Sequence, residues 1–152
     1  MVKQAPKKQT TKRATTYKGA AKKKTSGIVP STDNQKKLID AIASSDQVIV
    51  FGPAGTGKTY VTTTCAADLY TTKQIDRIVI TRPMVSVGKD MGYLPGNLEE
   101  KAAPWAMPVI EVLVKHLGKG AVETGIKNGN IEMAPLALMR GRSFDNAFII
   151  CD

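Results

Sequence analysis

The apolar residues of this chain form short runs that alternate with segments of helical periodicity. Four runs rich in β-branched residues have the length of buried strands; they are Gln47–Phe51, Arg77–Thr81, Ile131–Met133 and Ala147–Asp152. Between the first two runs, Lys58 to about Tyr70 carries apolar residues at helical spacing. Strands separated by a helix of this length form right-handed βαβ units in a parallel sheet. The pattern therefore predicts an α/β fold.

Other segments complete this outline. A helix is predicted at about Asp33–Ser44, with its apolar residues on one face. Residues 84–96 form a long loop of the kind that is usually functional or disordered. A helix begins near Asn97, is interrupted by Pro104 and Pro108, and is followed by a second helix.

One stretch carries a phosphate-binding motif. Residues 51–59 read Phe-Gly-Pro-Ala-Gly-Thr-Gly-Lys-Thr and fit the P-loop pattern G-x-x-x-x-G-K-[ST]. Its glycines let backbone N–H groups approach phosphates closely, Lys58 can reach the β- and γ-phosphates, and the Thr59 hydroxyl can ligate Mg²⁺. The helix that follows directs its positive end at the anion. Because strand, glycine loop and helix follow in the required order, we expect a nucleoside triphosphate site; its residues are Gly52, Pro53, Ala54, Gly55, Thr56, Gly57, Lys58 and Thr59.

The apolar run that ends in Asp152 supplies a second part of this site. In a P-loop protein such a run is the Walker B strand, whose aspartate holds Mg²⁺ through water, opposite the P-loop threonine. Lys58 and Asp152 are therefore the candidate catalytic residues, and Thr59 and Asp152 are the candidate metal ligands.

Three arginines are candidates for contact with phosphate groups. Ligands of parallel sheets bind beyond the carboxyl ends of the strands, where Arg82 falls. Arg140 and Arg142 form a basic cluster on a predicted loop. That cluster is either a solvated turn or a phosphate clamp for nucleic acid or nucleotide.

Gln35 has two interpretations. Thr32 and Gln35 fit a capping box, in which the glutamine satisfies a free backbone N–H at the start of a helix. Alternatively, a glutamine ahead of a P-loop strand can read the edge of adenine, because an amide both donates and accepts hydrogen bonds. The residues alone leave both open.

The positive charge of the chain lies at one end. The net charge is +9, and nine of the 22 basic residues lie in residues 1–27, which contain no acidic residue. The other basic residues equal the 13 acidic residues in number, so the remainder is neutral. We expect this tail to be disordered. It is a solubilising tail, a nucleic-acid arm that contacts phosphates, or a transit peptide, of which the last fits its composition least.

Composition narrows the class of protein. A length of 152 residues suggests one domain, which we place at residues 28–152. We see no apolar run that could span a membrane. Cys65 and Cys151 are predicted to be small buried hydrophobes in a reducing compartment, and His116, the single histidine, cannot build a histidine-based metal cluster. We expect a soluble intracellular protein.

Several motifs together resemble one family. Residues 52–60 (GPAGTGKTY), 81–83 (TRP), 92–96 (GYLPG) and 139–143 (MRGRS) have the order and spacing of PhoH-like proteins. This is the phosphate-starvation-inducible ATPase family, which is also common in bacteriophages. The resemblance covers about residues 30–152, and it adds Tyr60 to the nucleotide-binding residues.

The resemblance implies a RecA-like P-loop NTPase fold related to superfamily 1 helicases, with three α/β/α layers and a mostly parallel sheet. It also implies ATP and Mg²⁺ as ligands, ATP hydrolysis, ring-shaped homo-oligomers and action on RNA or single-stranded nucleic acid. The location would be the cytoplasm, that of the host if a phage encodes the protein. Gln35 resembles the adenine-reading glutamine of those helicases, and Arg82, Arg140 and Arg142 lie where related enzymes contact a strand or a phosphate.

Two departures from the family pattern matter. The family continues past the Walker B aspartate with a catalytic glutamate, whereas this sequence ends at Asp152, so we expect Mg-nucleotide binding with very poor hydrolysis. In RecA-like sheets a later strand lies between the P-loop strand and the Walker B strand. Without it both edges are unpaired, which favours an incomplete piece of a longer protein.

Two other functions stay open. A small P-loop phosphotransferase would need an arginine-rich lid and a substrate-holding acid after the second strand, and residues 81–96 display neither. A non-enzymatic protein, in which nucleotide binding gates nucleic-acid binding, remains the other alternative.

Overall fold

The computed structural model describes residues 28–83 and 98–152, with side chains from residue 105 onward in the second segment. The predictions for the tail and for the long loop lie outside the described residues, as do the GYLPG motif and the helix start at Asn97. The elements are, in chain order, α1 (Asp33–Ser44), α2 (Lys58–Thr71), β1 (Arg77–Thr81), α3 (Leu98–Leu117), α4 (Lys119–Lys127), β2 (Ile131–Met133), a 3-10 turn (Leu136–Leu138) and β3 (Ala147–Cys151).

The strands form one parallel sheet with β1 at its centre. The order is β2-β1-β3, and Ile78 of β1 lies opposite Ile131 on one side and Phe148 on the other. Within the described residues the fold is therefore α/β, with a small all-parallel sheet and four helices, consistent with a RecA-like P-loop fold. The strands are parallel, as predicted from the apolar runs, and α3 with α4 connects β1 to the neighbouring β2.

Two clusters of buried side chains hold the helices to the sheet. The larger joins α2, α3 and α4 to all three strands, and Leu69, Ile78 and Leu113 are fully buried within it. The smaller packs α1 on α2 through Ile42 and its neighbours. Each such side chain contributes about 1.5–3 kcal/mol on burial. Because α2 takes part in both clusters, its first turn is held in a fixed position relative to the carboxyl ends of the strands.

The strand predicted at Gln47–Phe51 is wrong. This segment belongs to no strand in the described structure, and the side chains of Ile49 and Phe51 are 71% and 91% exposed. A strand exists only where a neighbouring backbone supplies its hydrogen bonds. Here the nearest candidate, β3, lies across an open cleft, so the apolar sequence is present without its partner.

The predicted interruption at Pro104 and Pro108 is also wrong, because α3 runs without a break from Leu98 to Leu117. An interior proline costs about 3 kcal/mol or more. In α3 the buried residues Ala106, Val109 and Leu113 recur at helical spacing and pack against α2 and the sheet. Tertiary packing therefore outweighs the local preference of the prolines.

Helix α4 had no counterpart in the sequence predictions. It is nine residues long and contains Gly120 and Gly125, both of which weaken helical propensity. Its buried residues are Val122 and Gly125, and it contacts α3 and β2. Gly125 is needed for close packing, because a Cβ there would lie 2.8 Å from Cδ1 of Ile131.

No helix in the described part of the chain is long and apolar enough to cross a membrane.

Candidate nucleotide-binding site

The glycine loop has the backbone that an anion cradle requires. Gly55 and Gly57 have φ angles of 77° and 82°, in the left-handed region that residues with a Cβ rarely adopt. Gly57 is also the N-cap of α2, and no side chain caps this end of the helix. The first N–H groups of α2 are therefore oriented along the helix axis without a side-chain acceptor, which is the arrangement that binds phosphate.

Lys58 folds back over the loop. Its Nζ atom donates to the carbonyl oxygens of Gly52 and Pro53 at 2.9 and 2.7 Å. The Thr56 hydroxyl also donates to the Pro53 carbonyl, at 3.0 Å. The ammonium group thus lies inside the loop, where the negative charge of a phosphate can replace the two carbonyls as its partner.

The structure brings together Thr59 and Asp152, which the sequence proposed as partners. The Thr59 hydroxyl donates to Asp152 Oδ2 at 3.0 Å. The Asp152 N–H donates to the Thr81 carbonyl at 3.1 Å, which extends the pairing of β1 with β3 by one residue. The first turn of α2 and the carboxyl end of the sheet therefore meet at these two side chains.

This pair fits the coordination chemistry of Mg²⁺. Mg²⁺ prefers oxygen ligands and is usually bound by one or two protein oxygens together with water and substrate phosphates. A hydroxyl and a carboxylate at 3.0 Å supply such ligands beside the glycine loop. Among the described residues, no group of three or more His, Cys, Asp or Glu side chains could hold a metal ion by itself. A site completed by phosphate is the type of metal site that these side chains support.

Gln35 contacts the P-loop directly. Its Nε2 atom donates to the Thr56 carbonyl at 3.3 Å, and its Oε1 atom accepts from the Ser31 N–H at 2.8 Å. The Gln35 N–H donates to Thr32 Oγ1 at 3.2 Å, so Thr32 is the N-cap of α1. The capping interaction predicted from the sequence is present, with the side chain reaching back to Ser31 instead of Thr32.

The end of α3 adds residues that sequence reasoning missed. Lys115 Nζ lies 5.3 Å from the centre of the Tyr60 ring, and the His116 ring lies 5.9 Å from it. His116 Nε2 also hydrogen bonds with Thr64 Oγ1 at 3.1 Å. Tyr60 follows Thr59 in α2, so a cationic side chain and the histidine lie against the first turns of this helix. Two polar residues at the end of an amphipathic helix give no sequence signal for this position, because contact with α2 depends on tertiary packing.

The three candidate arginines differ in their surroundings. Arg142 is paired with Glu132 at 2.6 Å, and its guanidinium lies 4.8 Å from the centre of the Phe144 ring. All three arginines are exposed, Arg142 with 40% of its side chain accessible. The Arg82 carbonyl accepts from the Leu136 N–H at 3.3 Å, which holds the 3-10 turn against the end of β1. Arg82 therefore lies, like Asp152, at the carboxyl ends of the strands.

A cleft of about 760 Å³ borders the site. One wall is the Gln47–Phe51 segment up to Val50, and the other is β3 with Asp152. Lys58 and Thr59 lie at its P-loop end. The cleft separates Gln47–Phe51 from β3. From the sequence, these two segments were predicted to be strands on either side of a strand that this sequence lacks.

The chain is similar to one family of known proteins. A family model described as PhoH-like protein matches residues 27–152. The chain is 44% identical over 125 residues to a PhoH-like protein of Mycobacterium tuberculosis, a match that covers 82% of this chain and 36% of that protein. It is 40% identical over 130 residues to Protein PhoH of Escherichia coli K12, covering 84% and 37%. A PhoH-like protein of Bacillus subtilis is 41% identical over 121 residues, covering 80% and 38%. The chain thus spans little more than a third of the length of these relatives.

Proposed function

This chain belongs to the PhoH-like family, and on that basis we propose that it is a P-loop ATPase module that binds Mg-ATP. The observation that supports the proposal most directly is the 3.0 Å hydrogen bond between Thr59 and Asp152 beside the glycine loop. Two residues that were predicted from separate motifs to share a metal are thus in direct contact.

In this proposal the glycine loop, Lys58, Thr59 and Asp152 have different roles in binding Mg-ATP. The backbone N–H groups of the glycine loop and the first turn of α2 bind the phosphates. Lys58 leaves the carbonyls of Gly52 and Pro53 and places its charge on the β- and γ-phosphates. Thr59 and Asp152 hold Mg²⁺, which neutralises the charge of the phosphate oxygens when bound.

For these 152 residues we further propose that hydrolysis is slow. A general base must lie within hydrogen-bond reach of the water that attacks the γ-phosphate. Asp152 is engaged with Thr59, and as a metal ligand it is not available for that task. Among the described residues that line the cleft, the other carboxylate belongs to Asp46, which precedes the Gln47–Phe51 segment and so lies at the opposite end of it from the P-loop.

The partner that we propose is RNA or single-stranded nucleic acid. Nine basic residues in residues 1–27 and the exposed Arg82 and Arg140 supply positive charge for phosphate contacts. Ring-shaped homo-oligomers of the complete protein in the cytoplasm are part of the same proposal. They rest on the family resemblance.

Titration of the chain with Mg-ATP tests the proposal. We expect wild-type binding in the micromolar range and a loss of at least tenfold in Lys58→Ala, since a charge-assisted contact worth about 1.5–3 kcal/mol disappears. Lys73→Ala, on the turn after α2, is the matched control and should bind as wild type does. Equal binding by all three proteins, or no binding by wild type, would refute the proposed function. ATP turnover with and without single-stranded RNA then tests the partner.

A further inference from the structure

Gln35 joins the beginning of α1 to the P-loop by its side-chain amide alone. The two ends of that amide have different backbone partners, Ser31 N–H at 2.8 Å and the Thr56 carbonyl at 3.3 Å. Thr56 is 21 positions further along the chain, so the contact is not part of the capping of α1. The side chain is only half-buried, but both of its polar atoms are engaged with the protein itself.

The carbonyl that Gln35 holds belongs to a peptide that the cradle depends on. Thr56 lies between Gly55 and Gly57, both in left-handed conformations, so this part of the loop has little local preference for one orientation. In a trans peptide the carbonyl and the following N–H point in opposite directions. A hydrogen bond that holds the Thr56 carbonyl towards Gln35 therefore turns the Gly57 N–H away from Gln35.

The contact is also close in space. A Cβ at Gly57 would lie 3.1 Å from Gln35 Nε2, so the amide lies directly against the start of α2. The carbonyls on the other side of the loop, Gly52 and Pro53, accept from Lys58. Lys58 must move to bind phosphate, whereas Gln35 binds from outside the loop and can keep its contact.

We propose that Gln35 is a positioning residue of the P-loop, which fixes the Thr56–Gly57 peptide with its N–H directed at the phosphates. Its contribution to binding is then the same for every triphosphate, whatever base the nucleotide carries. This differs from the adenine-reading role that the resemblance implies, in which both amide atoms face a base. This inference rests on the proposed function for the identity of the ligand. The contacts of Gln35 with Ser31 and Thr56 do not depend on that function.

Gln35→Glu separates the two roles. The carboxylate keeps the length of the side chain and can still accept from Ser31, but it cannot donate to Thr56 and places an oxygen opposite the Thr56 carbonyl. We expect the dissociation constants for the Mg²⁺ complexes of ATP, GTP and inorganic tripolyphosphate to rise by the same factor, about three- to tenfold. The ratio of ATP to GTP affinity should stay that of wild type. The uncharged variant Gln35→Met should give the same pattern, which separates the lost contact from repulsion between an added carboxylate and the phosphates.

Thr32→Ala is the matched control. It removes the cap of α1 and leaves the Gln35 side chain in place, so it should lower thermal stability without weakening any of the three ligands. A loss confined to ATP in Gln35→Glu would overturn the proposal in favour of adenine reading. Unchanged binding of all three ligands would overturn it as well.

A second readout needs no ligand. In nucleotide-free protein, Gln35→Glu should shift the amide resonance of Gly57 and speed its hydrogen exchange, and Thr32→Ala should do neither. If wild type binds none of the three ligands, the proposed function fails and this measurement alone decides the role of Gln35. A Gly57 amide that is the same in wild type and Gln35→Glu would then refute the positioning role.

Discussion

The Thr59 hydroxyl and the Asp152 carboxylate are hydrogen bonded at 3.0 Å although they lie 93 positions apart. Thr59 is the second residue of α2, and Asp152 directly follows β3. Both are positioned by elements that the core fixes, since α2 packs on β1 and β3 and the Asp152 N–H pairs with Thr81. The two groups are therefore in contact before any ligand binds. Little conformational entropy would be lost in ordering them around a metal ion that both would hold.

A double-mutant cycle tests whether they act on one Mg²⁺ ion. Thr59→Val and Asp152→Asn should each reduce the gain in ATP affinity that Mg²⁺ provides by about tenfold, the loss of one charge-assisted contact. The double variant should lose no more than either single variant, because both act through the same ion. Thr62→Val, which also lines the cleft, is the control and should bind as wild type does. Losses that add in the double variant would contradict a shared ion.

The arginines should divide into two classes when replaced by alanine. Arg82→Ala and Arg140→Ala, at exposed positions, should weaken RNA binding and lower the slope of log K against log salt by about one each. Arg142→Ala should leave that slope unchanged, because its guanidinium is already paired with Glu132 and lies over Phe144. It should instead lower the free energy of unfolding by about 0.5–1 kcal/mol. RNA titrations over a range of salt, with urea unfolding of each variant, distinguish the classes; an equal change of slope in all three would contradict this division.

Much of the fold follows from the spacing of apolar residues. The bounds of α1, β1 and β2 agree with the sequence prediction, because α1 has one apolar face, β1 contains a continuous apolar run and β2 follows the turn at Asn128-Gly129. The errors lie where tertiary contact decides. Gln47–Phe51 has the sequence of a strand but no neighbour, α3 keeps two prolines because its buried face packs, and α4 has few apolar residues and two glycines.

For the candidate site, the sequence could predict the residues of contiguous motifs but not the contacts that form when separate helices pack together. The P-loop motif determines the local backbone, so its glycines and Lys58 could be named in advance. The contact of Thr59 with Asp152 was predicted from the P-loop and Walker B motifs, since P-loop proteins hold Mg²⁺ between these two residues. The contact of Gln35 with Thr56 and that of Lys115 with Tyr60 depend on how helices pack, and no local pattern encodes them.

Two glycines of α4 provide a matched test of its packing. Gly125→Ala places a Cβ 2.8 Å from Cδ1 of Ile131, a side chain that is 1% exposed. We expect the free energy of unfolding to fall by about 1 kcal/mol, since the cost of overpacking exceeds the gain in helix propensity. A Cβ in Gly120→Ala would have no atom within 4 Å, so this variant should raise the free energy of unfolding by up to about 1 kcal/mol. Urea unfolding measures both, and Ile131→Val should relieve Gly125→Ala. Stabilisation by both alanines would show that Ile131 can move aside.

Cys65 should make stability depend on pH in the alkaline range. Burial, with a smaller effect of the Asp68 charge, raises the pKa of its thiol from 9.0 to about 12. The neutral thiol is favoured in the folded protein, so this contribution is complete below pH 9 and is lost as the pH rises towards 12. The slope reaches at most about 1.4 kcal/mol per pH unit. Urea unfolding at pH 8.5 to 10.5 should reveal a decline in wild type that Cys65→Ala reduces. Cys151→Ala should behave as wild type, because the prediction that Cys151 is buried is wrong and its thiol is exposed; an identical decline in all three proteins would exclude Cys65 as its source.

Within the described residues β3 has a strand partner on one edge only, and we expect its other edge to make the protein self-associate. β3 pairs with β1 along one edge, and its other edge faces the cleft, where Ile149 is 45% exposed. Unpaired strand edges with apolar side chains recruit further strands, and a charged residue on the edge prevents this. Sedimentation velocity should therefore detect association that grows with concentration in wild type and is reduced in Ile149→Lys. Ile126→Lys is the matched control, since Ile126 is an exposed isoleucine of similar accessibility on α4, away from the edge. A wild-type chain that stays monomeric at high concentration, or an equal effect of both lysines, would contradict association through β3.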